Sequence, residues 1–217
     1  MPPAAAVIAV VGMRSEAALL PRGVRAVVTG GDPKRAAALL AEHKGEVTGV
    51  LSFGIAGGLD PDLAPGDLVV ATRVRGPRGA WRADMGWAAA LARATGARLG
   101  TLAGAARVVA DPAAKRNLHN ATGGALAVDL ESEAAAAFAA SRGVPFVALR
   151  AVADTARESV PQSAAGGLTS DGRPAAARVA LFLLRRPSEL PALLQVAKRT
   201  KLALASLERA AKALPGR

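Results

Sequence analysis

Short apolar runs alternate with alanine-rich helical stretches along much of the chain, and this alternation limits the possible folds more than any other feature. Residues 6–12, 24–31 and 47–54 form apolar runs of strand length. A helical stretch, residues 33–45, separates the second run from the third. Strands that alternate with helices are typical of an α/β fold with a largely parallel sheet. The same patterns predict further strands at residues 66–74, 98–104 and 144–154, and helices at residues 84–96 and 128–143.

The length and apolar content of the chain are sufficient for one large core. The chain has 217 residues, of which 51% are hydrophobic, and a chain of this size can fold as one domain. We therefore expect a single domain over residues 1–217. Two helices, predicted at residues 174–186 and 188–213, form a basic helical extension at about residues 174–217.

The net charge of +11 is concentrated in this extension. From Gly172 onward there are ten Lys or Arg residues against only Glu189 and Glu208. A basic helix pair with an apolar face suits peripheral contact with an anionic membrane surface. Alternatively, the apolar face packs on the sheet and the charges are solvated. Nucleic acid is not an expected partner, because no aromatic residues are interleaved with the basic ones.

The chain lacks the residues that most protein metal sites need. It contains no cysteine and only two histidines, His43 and His119, so we expect no metal site. No apolar run approaches the roughly 18 to 20 residues of a membrane-spanning helix. The opening residues lack the basic n-region of a signal peptide, so we expect a cytoplasmic protein.

Charged side chains stand near the ends of three apolar runs, where ligands of open α/β sheets gather. The first run stops at Gly12 and is followed by Arg14 and Glu16. The second place is the glycine-rich loop at residues 52–58. The third combines an acidic pair with a later arginine and aspartate: Asp129, Glu131, Arg150 and Asp154. Each place also has a plainer interpretation, as a solvated helix start, a tight turn, or helix caps and an ion pair.

Two segments in this order resemble a known family. "SFGIAGGLDPDLAPGDLVVA" and the later "AVDLESEAAAAFAASRGVPFVALRAVAD" are similar to the glycine-rich and acidic segments of the nucleoside phosphorylase and nucleosidase superfamily. The resemblance covers roughly residues 5–155. Within that superfamily, the start "GMRSEA" and the tail "RRPSELPALLQVAK" look most like the hopanoid-associated phosphorylases. The resemblance implies a three-layer α/β fold with a mixed central sheet flanked by helices.

The resemblance also implies roles for the acidic residues. Asp154 would be the general acid that protonates N7 of the leaving adenine, and Glu16 matches the glutamate that activates water in the nucleosidase branch. Glu131 would accept hydrogen bonds from the ribose 2′ and 3′ hydroxyls. The remaining substrate-binding residues implied are Asp129 beside Glu131, Leu130 against the sugar, Arg150, which would hold Asp154 and the loop near it, and Val108 near the base.

A phosphate ion would be held by the glycine loop and the end of the first strand. The candidates for this phosphate site are Gly12, Arg14, Ser52, Gly54 and Gly57. Close approach of backbone N–H groups to an anion requires residues without side chains. Two positions depart from the family pattern, since Ile55 stands where relatives have serine or threonine, and Ala153 replaces a serine before the aspartate.

The expected activity is phosphorolysis of adenosylhopane, which releases adenine with inorganic phosphate as co-substrate and needs no metal or organic cofactor. The family also implies a homo-oligomer. A first alternative is a hydrolytic nucleosidase of the methylthioadenosine or adenosylhomocysteine type, favoured by Ile55 and Glu16. A second is a non-catalytic lipid- or nucleoside-binding protein that keeps the fold.

Overall fold

A computed structural model describes residues 6–161, 164 and 168–214 of the chain. The strands are β1 (Val7–Val11), β2 (Arg25–Val28), β3 (Gly49–Gly58), β4 (Leu68–Gly76), β5 (Gly79–Arg82), β6 (Arg98–Gly104), β7 (Ala127–Asp129) and β8 (Phe146–Asp154). The helices are α1 (Arg14–Ala17), α2 (Pro33–Ala41), α3 (Met85–Thr95), α4 (Pro112–Ala121), α5 (Ser132–Arg142), α6 (Ala176–Arg185) and α7 (Leu190–Ala211), with a 3-10 turn at Pro187–Glu189. The prediction of an α/β fold with a mixed central sheet flanked by helices is confirmed.

The strands join into one mixed sheet whose parallel part carries the predicted site segments. β1 pairs in parallel with β2 and with β3, and β3 pairs in parallel with β8. The C-terminal ends of β1, β3 and β8 therefore lie at the same side of the sheet. Ligands of α/β proteins bind at this side.

Five of the strands close into a ring. β8 pairs with β3 on one side and antiparallel with β4 on the other. β4 pairs with β6, β6 with β7, and β7 returns to β3 through Gly57 and Gly58. Because β3 and β8 lie in this ring, each is fixed by hydrogen bonds to neighbouring strands along its length.

An extra residue in β8 shifts its register against β3. Ala56 pairs with Val152, whereas Gly57 pairs with Asp154, so Ala153 is the inserted residue. Such a bulge bends the strand and re-aims the side chain next to it. Asp154 then faces Gly57, where an added Cβ would lie 3.4 Å from both carboxylate oxygens.

The helices cover the sheet to different extents. α5 packs on β3 and β4 through a run of small residues, including buried Ala135 and Ala139. α7 packs on β8 through its C-terminal half, where Ala203 and Leu207 are buried. In its N-terminal half, Leu190 and Leu194 are 46% and 61% exposed. The apolar face predicted for this helix is thus only partly covered by the sheet.

The sequence patterns missed several elements and misplaced two helix boundaries. The helix predicted at residues 33–45 ends at Ala41. β5, α4 and β7 were not predicted, because the two strands are short and α4 contains few apolar residues. The helix predicted from residue 128 begins at Ser132, since residues 127–129 pair as a strand with β6. Of the connection predicted at residues 156–173, residues 162–163 and 165–167 lie outside the described residues. In the described part of the chain, no helix combines the length and hydropathy needed to cross a bilayer.

Candidate active site

A cavity of about 420 Å³ opens where β1, β3 and β8 end. Glu16, Glu131 and Asp154 line it, together with Asp129 and with glycines that include Gly12 and Gly57. We call these four carboxyl groups and their surroundings the carboxyl part of the cavity. The fold thus brings together side chains that are more than a hundred residues apart in sequence.

Glu16 is held by backbone donors from two strand ends. Its Oε2 accepts hydrogen bonds from the N–H groups of Gly12, at 2.9 Å, and Met13, at 2.8 Å. Its Oε1 accepts one from the N–H of Ile55 at 2.8 Å. An added Cβ at Gly54 would lie 2.5 Å from Oε1, so only glycine fits there. Burial raises the pKa of Glu16, although the Arg150 charge and the backbone donors oppose this rise.

Glu131 projects beside Glu16 after the end of β7. It stands at the N-cap position of α5, yet its side chain makes no capping hydrogen bond. An added Cβ at Gly12 would lie 2.9 Å from Oε1 of Glu131 and 3.5 Å from Oε2 of Glu16. Burial raises the pKa of Glu131 to about 7, and the charges of Asp129 and Glu16 add to this effect while Arg150 opposes it. Glu131 therefore changes its charge near neutral pH.

Arg150 is a fully buried cation that joins the acidic pair to β3. Its guanidinium pairs with Asp129 and lies 3.4 Å from Oε2 of Glu131. It also donates to the Ser52 Oγ at 2.5 Å and the Ser132 Oγ at 3.2 Å. Burial raises the pKa of Asp129, and Arg150 and Ser132 counter that rise. A buried charge of this kind needs such partners. Arg150 carries one positive charge, so it balances the charge of one of the two carboxyl groups.

Asp154 pairs with a lysine that the sequence patterns did not single out, and not with Arg150 as the resemblance implied. The Arg150 guanidinium pairs instead with Asp129. Lys115 of α4 is fully buried, and its ammonium contacts the Oδ1 of Asp154. The side chain of Asp154 remains 17% exposed and lines the cavity. Burial raises the pKa of Asp154, while the charge and the hydrogen bond of Lys115 lower it.

The residues predicted to bind phosphate do not all reach the cavity. Gly12 and Gly57 line it, and Gly54 approaches Glu16 from β3. Ser52 is fully buried, with its hydroxyl held by Arg150 and Ser132. Arg14 is more than half exposed and pairs with Asp171, 3.4 Å from its carboxylate.

The residues predicted near the sugar and the base do line the cavity. Leu130 lies between the acidic pair, and Val108 belongs to the lining segment at residues 107–109. The described lining includes no aromatic side chain. Contact with a planar ligand in this part of the cavity would therefore come from aliphatic side chains.

The rest of the cavity is apolar and is walled by the C-terminal helices. Val179 of α6 and Leu193 and Val196 of α7 line it. Val160 and Leu168, from the connection before α6, complete this apolar part of the cavity. The cavity could thus hold a ligand with one polar portion and one apolar portion.

Two further residues support the site and were missed by the sequence analysis. The Ser132 hydroxyl donates to Asp129 and lies 3.0 Å from the Ser52 hydroxyl, and Lys115 contacts Asp154. The only sequence signal near Lys115 is Asp111-Pro112, a pair typical of a helix start, and Asp111 caps α4 in the structure. Nothing in the sequence marks the fourth residue of this polar helix as buried.

Metal ligands do not converge in the described residues. No group of three or more histidine or acidic side chains there could hold a metal ion. The carboxyl groups of the cavity instead use backbone N–H groups and the cations Arg150 and Lys115 as partners.

The fold and the cavity define a mixed α/β protein with a carboxyl-lined pocket at the ends of its parallel strands. The sequence pattern of the phosphorylase superfamily matches residues 18–185. The chain therefore belongs to the phosphorylase superfamily. No curated protein matches the chain in sequence.

Solved structures share this fold over nearly the whole chain. S-adenosylhomocysteine nucleosidase from Streptococcus pyogenes, in complex with 5-methylthiotubericidin, is 19% identical, with 96% of this chain and 97% of that chain covered and a TM-score of 0.66. The 5′-methylthioadenosine/S-adenosylhomocysteine nucleosidase from Neisseria meningitidis, in complex with methylthio-immucillin-A, is 20% identical, with 96% and 100% covered and a TM-score of 0.64. The enzyme of that name from Helicobacter pylori, with butyl-thio-DADMe-Immucillin-A, is 17% identical, with 96% and 98% covered and a TM-score of 0.65.

Proposed function

We propose that this chain is a nucleosidase that hydrolyses the N-ribosyl bond of an adenosine derivative. The observation that carries the proposal is the convergence of Glu16, Glu131 and Asp154 on one cavity in a member of the phosphorylase superfamily. The solved nucleosidases with the same fold support it. Hydrolysis thereby takes precedence over the phosphorolysis expected from the sequence.

Asp154 acts as the general acid. Breaking the bond between C1′ and the base nitrogen leaves positive charge on the sugar and negative charge on the base. A proton delivered to N7 of adenine neutralises the leaving base, and such help is greatest at the transition state. Burial of Asp154 favours its protonated form by raising its pKa, which suits a proton donor.

Glu131 binds the ribose. An ionised carboxylate accepts hydrogen bonds from both the 2′ and the 3′ hydroxyl groups, and it attracts the positive charge that develops on the sugar. Its side chain is available for this because it does not cap α5. Leu130 beside it packs against the sugar.

Glu16 activates the water. A carboxylate has about four acceptor positions, and three of them on Glu16 are taken by backbone N–H groups. The remaining position accepts a hydrogen from water, whose oxygen bonds to C1′ as the base leaves. The water proton passes to Glu16, so the products are adenine and a free sugar.

The same hydrogen bonds favour water over phosphate as the nucleophile. The N–H groups of Gly12, Met13 and Ile55, which could have held an anion, already donate to Glu16. A phosphate ion would also meet the four carboxyl groups that line the cavity. Arg14, the one cation predicted for the phosphate site, pairs with Asp171.

A second candidate, phosphorolysis of adenosylhopane, is favoured by the apolar part of the cavity. A large apolar group on the 5′ carbon of the nucleoside would lie against Val179, Leu193 and Val196. On the outer side of the same helices, Leu184 and Leu194 are 81% and 61% exposed and stand near basic residues of the extension. Peripheral contact with an anionic bilayer would bring such a lipid-like substrate to the cavity. The homo-oligomer expected from the sequence stays a prediction.

Adenine release with and without inorganic phosphate tests the choice between these reactions. Methylthioadenosine, adenosylhomocysteine and adenosylhopane in detergent would serve as substrates, with adenine quantified by chromatography. We expect release that needs no phosphate and is lost in Glu16→Gln. Release that depends on phosphate would replace hydrolysis by phosphorolysis, and binding without release would favour the non-catalytic alternative.

A further inference from the structure

Lys115 differs from a surface lysine because it is fully buried and its ammonium is fully hydrogen-bonded. Its side chain is fully buried in the protein. All three ammonium hydrogens have acceptors: the Oδ1 of Asp154, the carbonyl oxygen of Thr155 at 2.7 Å and that of Glu158 at 3.0 Å. A buried ammonium is costly unless it is paired and hydrogen-bonded. Because one ammonium group is hydrogen-bonded to all three acceptors, it fixes their positions relative to one another.

The contacts of Lys115 extend to the helix that walls the apolar part of the cavity. Glu158 accepts a hydrogen bond from the Thr155 N–H at 3.1 Å, which tightens the turn that follows Asp154. The other carboxylate oxygen of Glu158 lies 2.6 Å from the Arg199 guanidinium of α7. Two residues after Glu158, the Val160 N–H donates to the Ala110 carbonyl, just before α4. Asp154, the turn after β8 and α7 are thus linked around one ammonium group.

We infer that Lys115 is a positioning residue for Asp154: its ammonium holds one carboxylate oxygen and leaves the other for the leaving base. This inference rests on the proposed function, in which Asp154 is the proton donor. Among the described residues, Oδ2 of Asp154 accepts no hydrogen bond, whereas Oδ1 contacts Lys115. A carboxyl group fixed in this way presents a single oxygen to its substrate.

The charge of Lys115 also controls when Asp154 holds its proton. Charged groups facing Asp154 come from three elements: Lys115 of α4, Glu158 of the turn after β8, and Arg199 of α7. The other charged groups that line the same cavity are Glu16, Arg107, Asp129 and Glu131. Burial raises the pKa of Asp154, and the charge of Lys115 lowers it. Removal of the ammonium therefore takes away the main effect that lowers this pKa. The pKa of Asp154 should then rise further.

The sign of the effect on the rate follows from the role of Asp154 as an acid. A general acid works while it is protonated, so the rate falls as the pH rises through its pKa. Without the lysine charge, this alkaline limb of the kcat profile moves to higher pH. At the same time kcat falls, by up to about 100-fold as for a reacting group displaced by about 1 Å, because the carboxyl group is no longer held.

The experiment compares Lys115→Met, which removes the charge, with Lys115→Arg, which keeps it. Arg116→Met is a matched control, because Arg116 is the next residue of the same helix and is exposed. We expect Lys115→Met to lower kcat and move the alkaline limb upward. Lys115→Arg should keep the limb in place, and Arg116→Met should change neither quantity. An alkaline limb that stays in place in Lys115→Met would reduce Lys115 to a structural role.

A second measurement keeps the inference testable without turnover. The carboxyl carbon of Asp154, assigned through Asp154→Asn, is titrated by carbon-13 NMR in the wild type and in Lys115→Gln, which retains a donor for the turn. A higher pKa in the variant supports the inference, and an unchanged pKa overturns it. A wild type that releases no adenine would instead refute the proposed function, whatever the titration shows.

Discussion

The two parts of the cavity are built in opposite ways. The carboxyl part lies at strand ends and is surrounded by buried partners, so that Glu16 alone accepts three backbone hydrogen bonds. The apolar part is walled by α6 and by the N-terminal half of α7, which is largely exposed on its other side. Fixed polar partners suit chemistry that tolerates little displacement. A helical apolar wall suits the recognition of a substituent that takes no part in the reaction.

The largest effect should come from the proton donor of the carboxyl part. Asp154→Asn keeps the shape of the side chain but removes its acid, so we expect kcat for adenine release to fall by about 10²- to 10⁴-fold. Circular dichroism should show a folded variant. Asp62→Asn, a change at an exposed loop residue, is the control. A near-normal kcat in Asp154→Asn would remove Asp154 from the mechanism.

A smaller effect should appear at Glu131, on substrate binding rather than on the chemical step alone. The carboxyl group with a pKa of about 7 is protonated below that pH and ionised above it. Because the ionised form accepts both ribose hydroxyls, the wild-type KM should fall as the pH rises through about 7 and then level off. Glu131→Gln should raise KM by about 10-fold or more, as expected for lost hydrogen bonds to a charged group. Its KM should no longer depend on pH in this range, and a retained dependence would assign the titration to another group.

The smallest effects should come from substitutions on α7, and they should differ between its cavity side and its exposed side. Leu193 lines the cavity, whereas its neighbour Leu194 is 61% exposed and does not. We expect Leu193→Ser to raise KM by about 10-fold for a nucleoside with a long apolar 5′ group, from lost apolar burial, but hardly at all for methylthioadenosine. Leu194→Ser should leave both KM values in place and weaken sedimentation with anionic vesicles. If both variants behave alike in both assays, the division of α7 into two sides is wrong.

The sequence identified the acidic residues of the site and Arg150, but not Lys115 or Ser132, which also hold these acidic residues. Glu16, Glu131 and Asp154 stand next to apolar runs, and that local pattern is visible without a structure. Lys115 contacts Asp154 across 39 positions of sequence, on a helix whose polar composition gave no sign of burial. Such partners depend on the packing of distant elements, so local patterns do not reveal them.

Contacts between distant parts of the chain also explain why Arg14 and residues 127–129 differ from the sequence predictions. Arg14 follows the end of β1, as a phosphate ligand would, but Asp171 lies within reach only because the chain returns 157 positions later. The start of the helix predicted at residues 128–143 is wrong for a related reason, although the helix itself is present at Ser132–Arg142. The apolar pattern around residues 127–129 is compatible with either a helix or a strand. These residues form a strand because they pair with β6.

The closed ring of strands has a consequence for how copies of this chain could assemble. Within the described residues, only β2 and β5 lack a neighbour on one side. Each has four residues, and each carries an exposed arginine, Arg25 or Arg82. Short, charged edge strands resist pairing with another sheet. Any homo-oligomer would therefore join through helices and loops rather than by a sheet that continues from one copy into the next.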